Sequence, residues 1–262
     1  MRKIIFFDID GTISIEETGV IPESAVNAIR KARENGHLAF INSGRTLSSI
    51  EDKYKQIGFD GYVCGCGTDI YEGNRNVFHY TVPKEICMEV IKKARETKVT
   101  AVYESTVTVF YDPVVPKHYV VEELKNRAES GWQTLDENIE NVSCMFEKFC
   151  VWLTEEADFE AFHDAIVSYF ECVNRGGGMY EIMPKDVSKA TGIQFLLDYY
   201  GIPLEQCFAI GDSTNDLPML QYVPNSIAMG NAMEEILPYC SFKTAHIEDD
   251  GLQKALEHYG II

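Results

Sequence analysis

The chain has 262 residues, 45% of them hydrophobic and 24% charged, enough to bury one large core or two smaller ones. A net charge of -18 argues against nucleic acid or an anionic membrane as partner, since both need clustered Lys and Arg, and it obliges any phosphate site to carry its own cations. No apolar stretch approaches the roughly 20 residues that cross a bilayer, and the eight cysteines of a chain with a full core read as free thiols in a reducing cytoplasm.

In chain order, Ile4-Ile5-Phe6-Phe7 predicts a buried strand that ends in Asp8-Ile9-Asp10-Gly11-Thr12. The basic start Met1-Arg2-Lys3 does not open a signal peptide, because Asp8 and Asp10 interrupt the apolar run. Residues 22–35 predict a helix with Pro22 at its first position, Val26, Ile29 and Ala32 at core spacing, and Gly36 as its stop. Residues 38–42 predict a second strand running into Ser43-Gly44-Arg45. A helix over 46–57 and a strand at 62–64 follow. Cys64-Gly65-Cys66 fits neither a redox Cys-x-x-Cys pair nor a four-ligand zinc site, and reads as core or loop.

From residue 83 to 184 the pattern changes. Helices near 84–97 and 155–169 are interleaved with β-rich runs at 100–111 and 148–153, as expected of antiparallel strands with helices on one face. Within this insert, residues 174–181 read either as a substrate loop or as a turn between two strands, with Arg175 and Glu181 as candidate substrate contacts. The earlier alternation then resumes: a helix at 191–200, a strand at 207–210 running into Gly211-Asp212, and a strand at 227–229 before Gly230-Asn231. The fold class is therefore α/β, a doubly wound (Rossmann-like) parallel-sheet core of residues 1–82 and 185–262 with an inserted α+β domain of residues 83–184.

Four patches carry the chemistry: Asp8-x-Asp10-Gly11-Thr12, Ser43-Gly44-Arg45, Lys189, and Gly211-Asp212-Ser213-Thr214-Asn215-Asp216. Each has an ordinary alternative, as an Asx turn, a common turn, a solvated lysine and a helix cap. A calcium loop starting at Asp8 fails, because its sixth and twelfth places hold Ile13 and Gly19 rather than Gly and Glu. Their order along an α/β chain is what shifts the odds. Carboxylates gathered at one sheet edge repel each other unless a cation sits among them, and a few hard oxygen ligands with room for water point to Mg2+.

The order Asp-x-Asp-Gly-Thr, Ser-Gly-Arg, Lys, Gly-Asp-x-x-Asn-Asp resembles the four motifs of the haloacid dehalogenase superfamily, and Met219-Leu220 resembles its Cof-type sugar-phosphatase branch, with an inserted α+β cap. The resemblance covers essentially the whole chain. It implies a magnesium-dependent phosphatase acting on a small phosphorylated metabolite, a sugar phosphate first among them. Asp8 would be the nucleophile that becomes an aspartyl phosphate, and Asp10 the group that protonates the leaving alkoxide and then deprotonates water. It places Mg2+ on the side chains of Asp8 and Asp212 and the backbone carbonyl of Asp10, supported by Asp216 and Thr12. Ser43, Gly44, Lys189 and Asn215 would hold the phosphate, with Arg45 adding charge nearby. A phosphomutase or phosphotransferase on the same scaffold, or a non-catalytic phosphoacceptor, are the alternatives. One departure stands out: Cys66-Gly67-Thr68 replaces the Asn-Gly-Ala usual after the third core strand.

Overall fold

Side chains alternate across an extended strand, so Ile4-Ile5-Phe6-Phe7 presents apolar groups to both faces and is stable only between two layers. The computed structural model describes residues 1–106, 108–114, 118–129, 135–136, 139 and 145–262, and in it this segment forms a fully buried strand. The strands are β1 (Ile4–Phe7), β2 (Leu38–Asn42), β3 (Gly61–Cys64), β4 (Asp69–Glu72), β5 (Arg75–His79), β6 (Thr100–Glu104), β7 (Val109–Tyr111), β8 (Leu135–Asp136), β9 (Lys148–Trp152), β10 (Phe170–Gly176), β11 (Met179–Pro184), β12 (Cys207–Gly211), β13 (Asn225–Ala228) and β14 (Phe242–Lys243). Two sheets collect them, in the orders β14-β13-β12-β1-β2-β3-β4-β5 and β10-β11-β9-β6-β7-β8. The chain divides into two compact units: Met1–Gly44, Asp52–Phe78 and Ser188–Ile262 form the first, and Arg45–Glu51 with His79–Val187 the second.

The first unit is doubly wound. Strands β12 to β14 and β1 to β3 pair in parallel, and β4 returns antiparallel to β3. One face buries Ile4, Phe6 and Phe40 against Ile193 and Leu196 of the helix Lys189–Tyr200. The other carries Phe208, whose ring meets Tyr259 just beyond the helix Gly251–His258, and that helix packs on the helix Glu23–Glu34. Chain order runs outward through β1, β2 and β3, then resumes at β12 on the opposite side of β1. The sheet therefore has its switch point between β1 and β12, the place where open α/β sheets generally bind their ligands.

The second unit lays the helices Lys84–Glu96 and Phe159–Ile166 on one face of its six-stranded sheet. Val90, Ala94, Phe162 and Ile166 pack on Ala101, Tyr103, Phe149, Val151 and Ile182 there. The expected run 100–111 is two strands, β6 and β7, paired antiparallel across a turn held by Ser105, whose amide and hydroxyl both donate to the Thr108 carbonyl at 2.9 Å; residue 107 lies outside the described residues.

Local chemistry explains the other departures. The helix expected over 46–57 is broken into a turn at Leu47–Ser49 and a single helical turn at Asp52–Lys55. The Thr46 hydroxyl lies 3.1 Å from that of Ser48 and 3.2 Å from that of Ser49, and such side-chain bonds compete with a helical backbone. Pro22 is the residue preceding the first helix rather than its first helical position. The β4–β5 extension of the core sheet was not expected, although Gly73-Asn74 between its strands is turn chemistry. Cys64, Cys66, Cys87, Cys150, Cys172, Cys207 and Cys240 are free thiols, and Cys144 lies outside the described residues. Among the described residues no helix is long and apolar enough to cross a membrane.

Candidate active site

Parallel register brings the first and last motifs together. Phe7 pairs with Ile210, and the Asp8 amide donates to the Ile210 carbonyl at 3.1 Å, so Asp8 and Asp212 each leave the end of their strand at the switch point. Asp216 follows on the short turn Thr214–Asp216. Lys189 opens its helix, whose start is fixed by Ser188: the Ser188 hydroxyl accepts from the Thr191 amide at 3.2 Å, and the Thr191 hydroxyl accepts from the Ser188 amide at 2.8 Å. A cation at a helix N-terminus is opposed by the helix dipole, so this lysine needs carboxylates close by.

It has two. Lys189 Nζ donates to Asp8 Oδ1 and to Asp216 Oδ1, both at 2.6 Å, with all three side chains almost wholly buried. The other oxygen of Asp216 accepts from the amides of Asp212 at 2.9 Å and Ser213 at 3.2 Å. Asp212 Oδ1 accepts from the Thr12 hydroxyl at 3.1 Å. Asp8, Asp212 and Asp216 each bring a carboxylate oxygen within 4.8 Å of the other two. Gly11 makes this crowding feasible: it sits at φ +79°, and a Cβ on it would lie 2.2 Å from Asp212 Oδ2.

Three buried carboxylates facing one ammonium leave a local excess of negative charge. Burial pushes the Asp8 carboxyl up to about 7, Asp216 adds to this, and Lys189 only partly opposes it. Burial likewise lifts Asp212 to about 8, helped by Asp8 and Asp216 and opposed by the Thr12 hydroxyl. Burial works against the Lys189 ammonium, yet Asp216 and Asp8 hold its pKa above the ordinary lysine value. The donor set is hard, anionic and under-neutralised, so a divalent cation such as Mg2+ fits it.

Asp10 is half-buried and bridges to Ser14, and its side chain stands outside the convergent carboxylates. The side-chain cluster is thus Asp8, Asp212 and Asp216, whereas the sequence reading drew on Asp10 through its carbonyl and gave Asp216 a supporting place. Ser43 is buried at the end of β2, its amide donating to the Val63 carbonyl at 2.9 Å and its carbonyl accepting from the Cys66 amide at 3.0 Å; Gly44 follows it. Asn215 turns its Oδ1 to the Ser213 hydroxyl at 2.5 Å.

Arg45, Arg175 and Glu181 belong to the second unit. Arg45 lies 3.5 Å from Glu51. Residues 174–181 form the β10–β11 hairpin, the second of the two forms that the sequence leaves open. Glu181 accepts there from Arg175 Nε at 3.1 Å and from Lys148 Nζ at 2.5 Å.

Two residues of the site were not foreseen. Asn42, fully buried, donates to the Lys189 carbonyl at 3.0 Å. Asn231 donates to the Gly11 carbonyl at 2.7 Å. The only available signal was position, since Asn42 ends β2 and Asn231 follows β13 at the carboxyl edge of the parallel sheet.

A doubly wound sheet with an aspartate and lysine cluster at its switch point is the arrangement of a phosphoryl-transfer hydrolase. The haloacid dehalogenase-like hydrolase family matches residues 5–256, and the chain belongs to that family. Relatives that match nearly the whole chain include named phosphatases, the class expected from the motifs. The Bacillus subtilis protein YkrA, described provisionally as a phosphatase, is 28% identical over 99% of this chain and 98% of its own length. The 5-amino-6-(5-phospho-D-ribitylamino)uracil phosphatase YitU of Bacillus subtilis is 25% identical over 98% of this chain and 97% of its own. Among solved structures, the subclass IIB sugar phosphatase BT4131 superposes with a TM-score of 0.81 at 25% identity, covering 99% of this chain and all of that one.

Proposed function

We propose that the protein is a magnesium-dependent phosphatase that releases inorganic phosphate from a small phosphorylated metabolite, a sugar phosphate first among candidates, through an aspartyl phosphate on Asp8. The observation that carries this reading is the Asp8 carboxylate held by Lys189 at 2.6 Å inside a buried acidic cluster. Mg2+ on Asp8, Asp212 and the Asp10 carbonyl, with Asp216 in support, would neutralise that cluster and draw a phosphate dianion toward it.

Asp8 uses its carboxylate oxygen to attack phosphorus as the substrate alkoxide departs, and Asp10 gives that alkoxide its proton. Asp10 then takes a proton from the water that cleaves the acyl phosphate, which frees Asp8 and inorganic phosphate. Lys189, the Ser43 hydroxyl, the Gly44 amide and Asn215 balance charge on the transferring oxygens. Lys189 spans Asp8 and Asp216, so it holds the nucleophile in one rotamer before and after transfer. In this reading the second unit is the cap that selects the leaving group, and the sugar-phosphate preference rests on the likeness to BT4131 and the ribityl phosphate acted on by YitU.

Phosphate release across a panel of sugar, nucleotide, flavin and pyridoxal phosphates, with and without Mg2+, tests the reaction. Asp8→Asn should abolish nearly all Mg2+-dependent release while leaving the protein folded by circular dichroism. Substantial residual turnover would remove Asp8 from its role. Conversion of a hexose 1-phosphate to the 6-phosphate in place of free phosphate would identify a mutase.

A further inference from the structure

Residues 229–233, which follow β13, stand between the two loops that carry the carboxylates. Their backbone grips one loop: the Met229 amide donates to the Gly211 carbonyl at 3.0 Å and the Met233 amide to the Asp212 carbonyl at 2.8 Å. A side chain grips the other, through Asn231 Nδ2 to the Gly11 carbonyl. That amide is oriented from behind, because Asn231 Oδ1 accepts from the Ile247 amide at 3.1 Å. Flipping it would set donor against donor on one side and acceptor against acceptor on the other.

The segment is itself anchored. The Gly230 amide donates to the Ala245 carbonyl at 2.8 Å, and a Cβ on Gly230 would lie 2.2 Å from the His246 nitrogen, so two stretches of backbone run flush together. Gly11, by contrast, belongs to a turn whose backbone bonds are internal: its amide donates to the Ser14 carbonyl at 2.8 Å, and the amides of Ile13 and Ser14 donate to the Ile9 carbonyl at 2.9 and 3.0 Å. Those bonds set the shape of the turn but not its distance from Asp212. The Thr12 hydroxyl reaches Asp212, but through a bond that can rotate. Asn231 joins the Gly11 turn to the segment that already holds Asp212.

We infer that Asn231 is a positioning residue that fixes the separation of the Asp8–Asp10 turn from the Asp212 loop, and with it the divalent-cation site and the reach of Asp8. The inference rests on the proposed reading of this cluster as a metal-dependent phosphatase centre. Asn231 acts through the Gly11 carbonyl rather than on substrate. A partner of this kind behind metal-binding groups typically changes metal affinity or activity by about 10-fold to 100-fold when removed.

Asn231→Leu keeps nearly the same volume and removes both hydrogen bonds. On the purified full chain, Mg2+ binding is measured by titration calorimetry, and kcat and KM with para-nitrophenyl phosphate. Mg2+ binding is expected to weaken and kcat to fall, each about tenfold, with KM changed by less than about twofold. A folded variant with lowered melting temperature but wild-type Mg2+ affinity and kcat overturns the inference, because the amide would then serve the fold alone. If Asn231→Leu does not fold, Asn231→Ser is read on the same quantities with the same outcomes. A wild-type protein that binds Mg2+ without releasing phosphate would refute the phosphatase reading, yet the calorimetric arm would still decide the role of Asn231.

Discussion

Gly11 concentrates the constraints on single residues at this site. Its φ of +79° is costly for any residue with a Cβ, and the would-be Cβ lies 2.2 Å from Asp212 Oδ2 and within 3 Å of the rest of that carboxylate, so the carboxylate itself would have to shift. Gly11→Ala should therefore lower kcat by about 100-fold or more, with a stability loss on the order of 1–3 kcal/mol from backbone strain. Thermal melting with steady-state kinetics checks this, and a variant at wild-type kcat would show that Asp212 has freedom the contact denies it. Asp8, Lys189 and Asp212 were legible only together, because each alone has an ordinary alternative and it is the order of their patches along an α/β chain that singles them out. Asn231 was not, because its partner Gly11 lies 220 positions away and an Asn after a strand reads as an ordinary turn residue.

Among the elements, the helix Lys189–Tyr200 matters most, because its first residue is the cation of the site. Three features locate its start: the Ser188–Thr191 capping box, the Asn42 amide on the Lys189 carbonyl, and the turn at Gly67. Gly67 sits at φ +101°, and a Cβ there would lie 2.3 Å from the Ser188 carbonyl oxygen. Gly67→Ala should push the capping residue away, move Lys189 off Asp8, and lower kcat by about tenfold or more, as misplacements of about an ångström elsewhere in enzymes do. Unchanged kcat, read alongside far-ultraviolet circular dichroism, would mean that the helix start yields without moving the lysine. This dependence was invisible in the sequence, where 66–68 registers only as a departure from a related motif. Elements with continuous apolar runs, β1, β2 and β12, were legible because a strand buried on both faces leaves no polar alternation. The segment 46–57 misled because its apolar spacing suits a helix while its clustered hydroxyls favour turns.

For the molecule as a whole, the division into two units gives the proposed cap a direct test. Deleting residues 83–184 and joining the ends with a short flexible linker should leave a folded core whose preferences across the phosphate panel differ from those of the intact chain; identical preferences would locate selection in the first unit. The acidic cluster also ties global stability to pH and metal. Asp8 and Asp212 titrate near 7 and 8 in the folded protein without metal, both raised chiefly by burial above an ordinary carboxyl value of 3.8. Raised carboxyls mean that the folded state holds more protons than the unfolded state between those values, so folding loses stability as pH rises from about 4 toward 8, at up to about 1.4 kcal/mol per pH unit for each group. Below that window both states are protonated and the cost vanishes. A bound divalent cation replaces those protons, and it stabilises most at the pH where the carboxyls are most strained. The metal-free protein should thus melt at a lower temperature at pH 8 than at pH 5.5, Mg2+ should restore more at pH 8, and Asp212→Asn should flatten the metal-free dependence. A melting temperature that is flat in pH and indifferent to Mg2+ would mean that Asp8 and Asp212 keep ordinary carboxyl behaviour despite their burial, and would take with it the argument that this cluster calls for a cation.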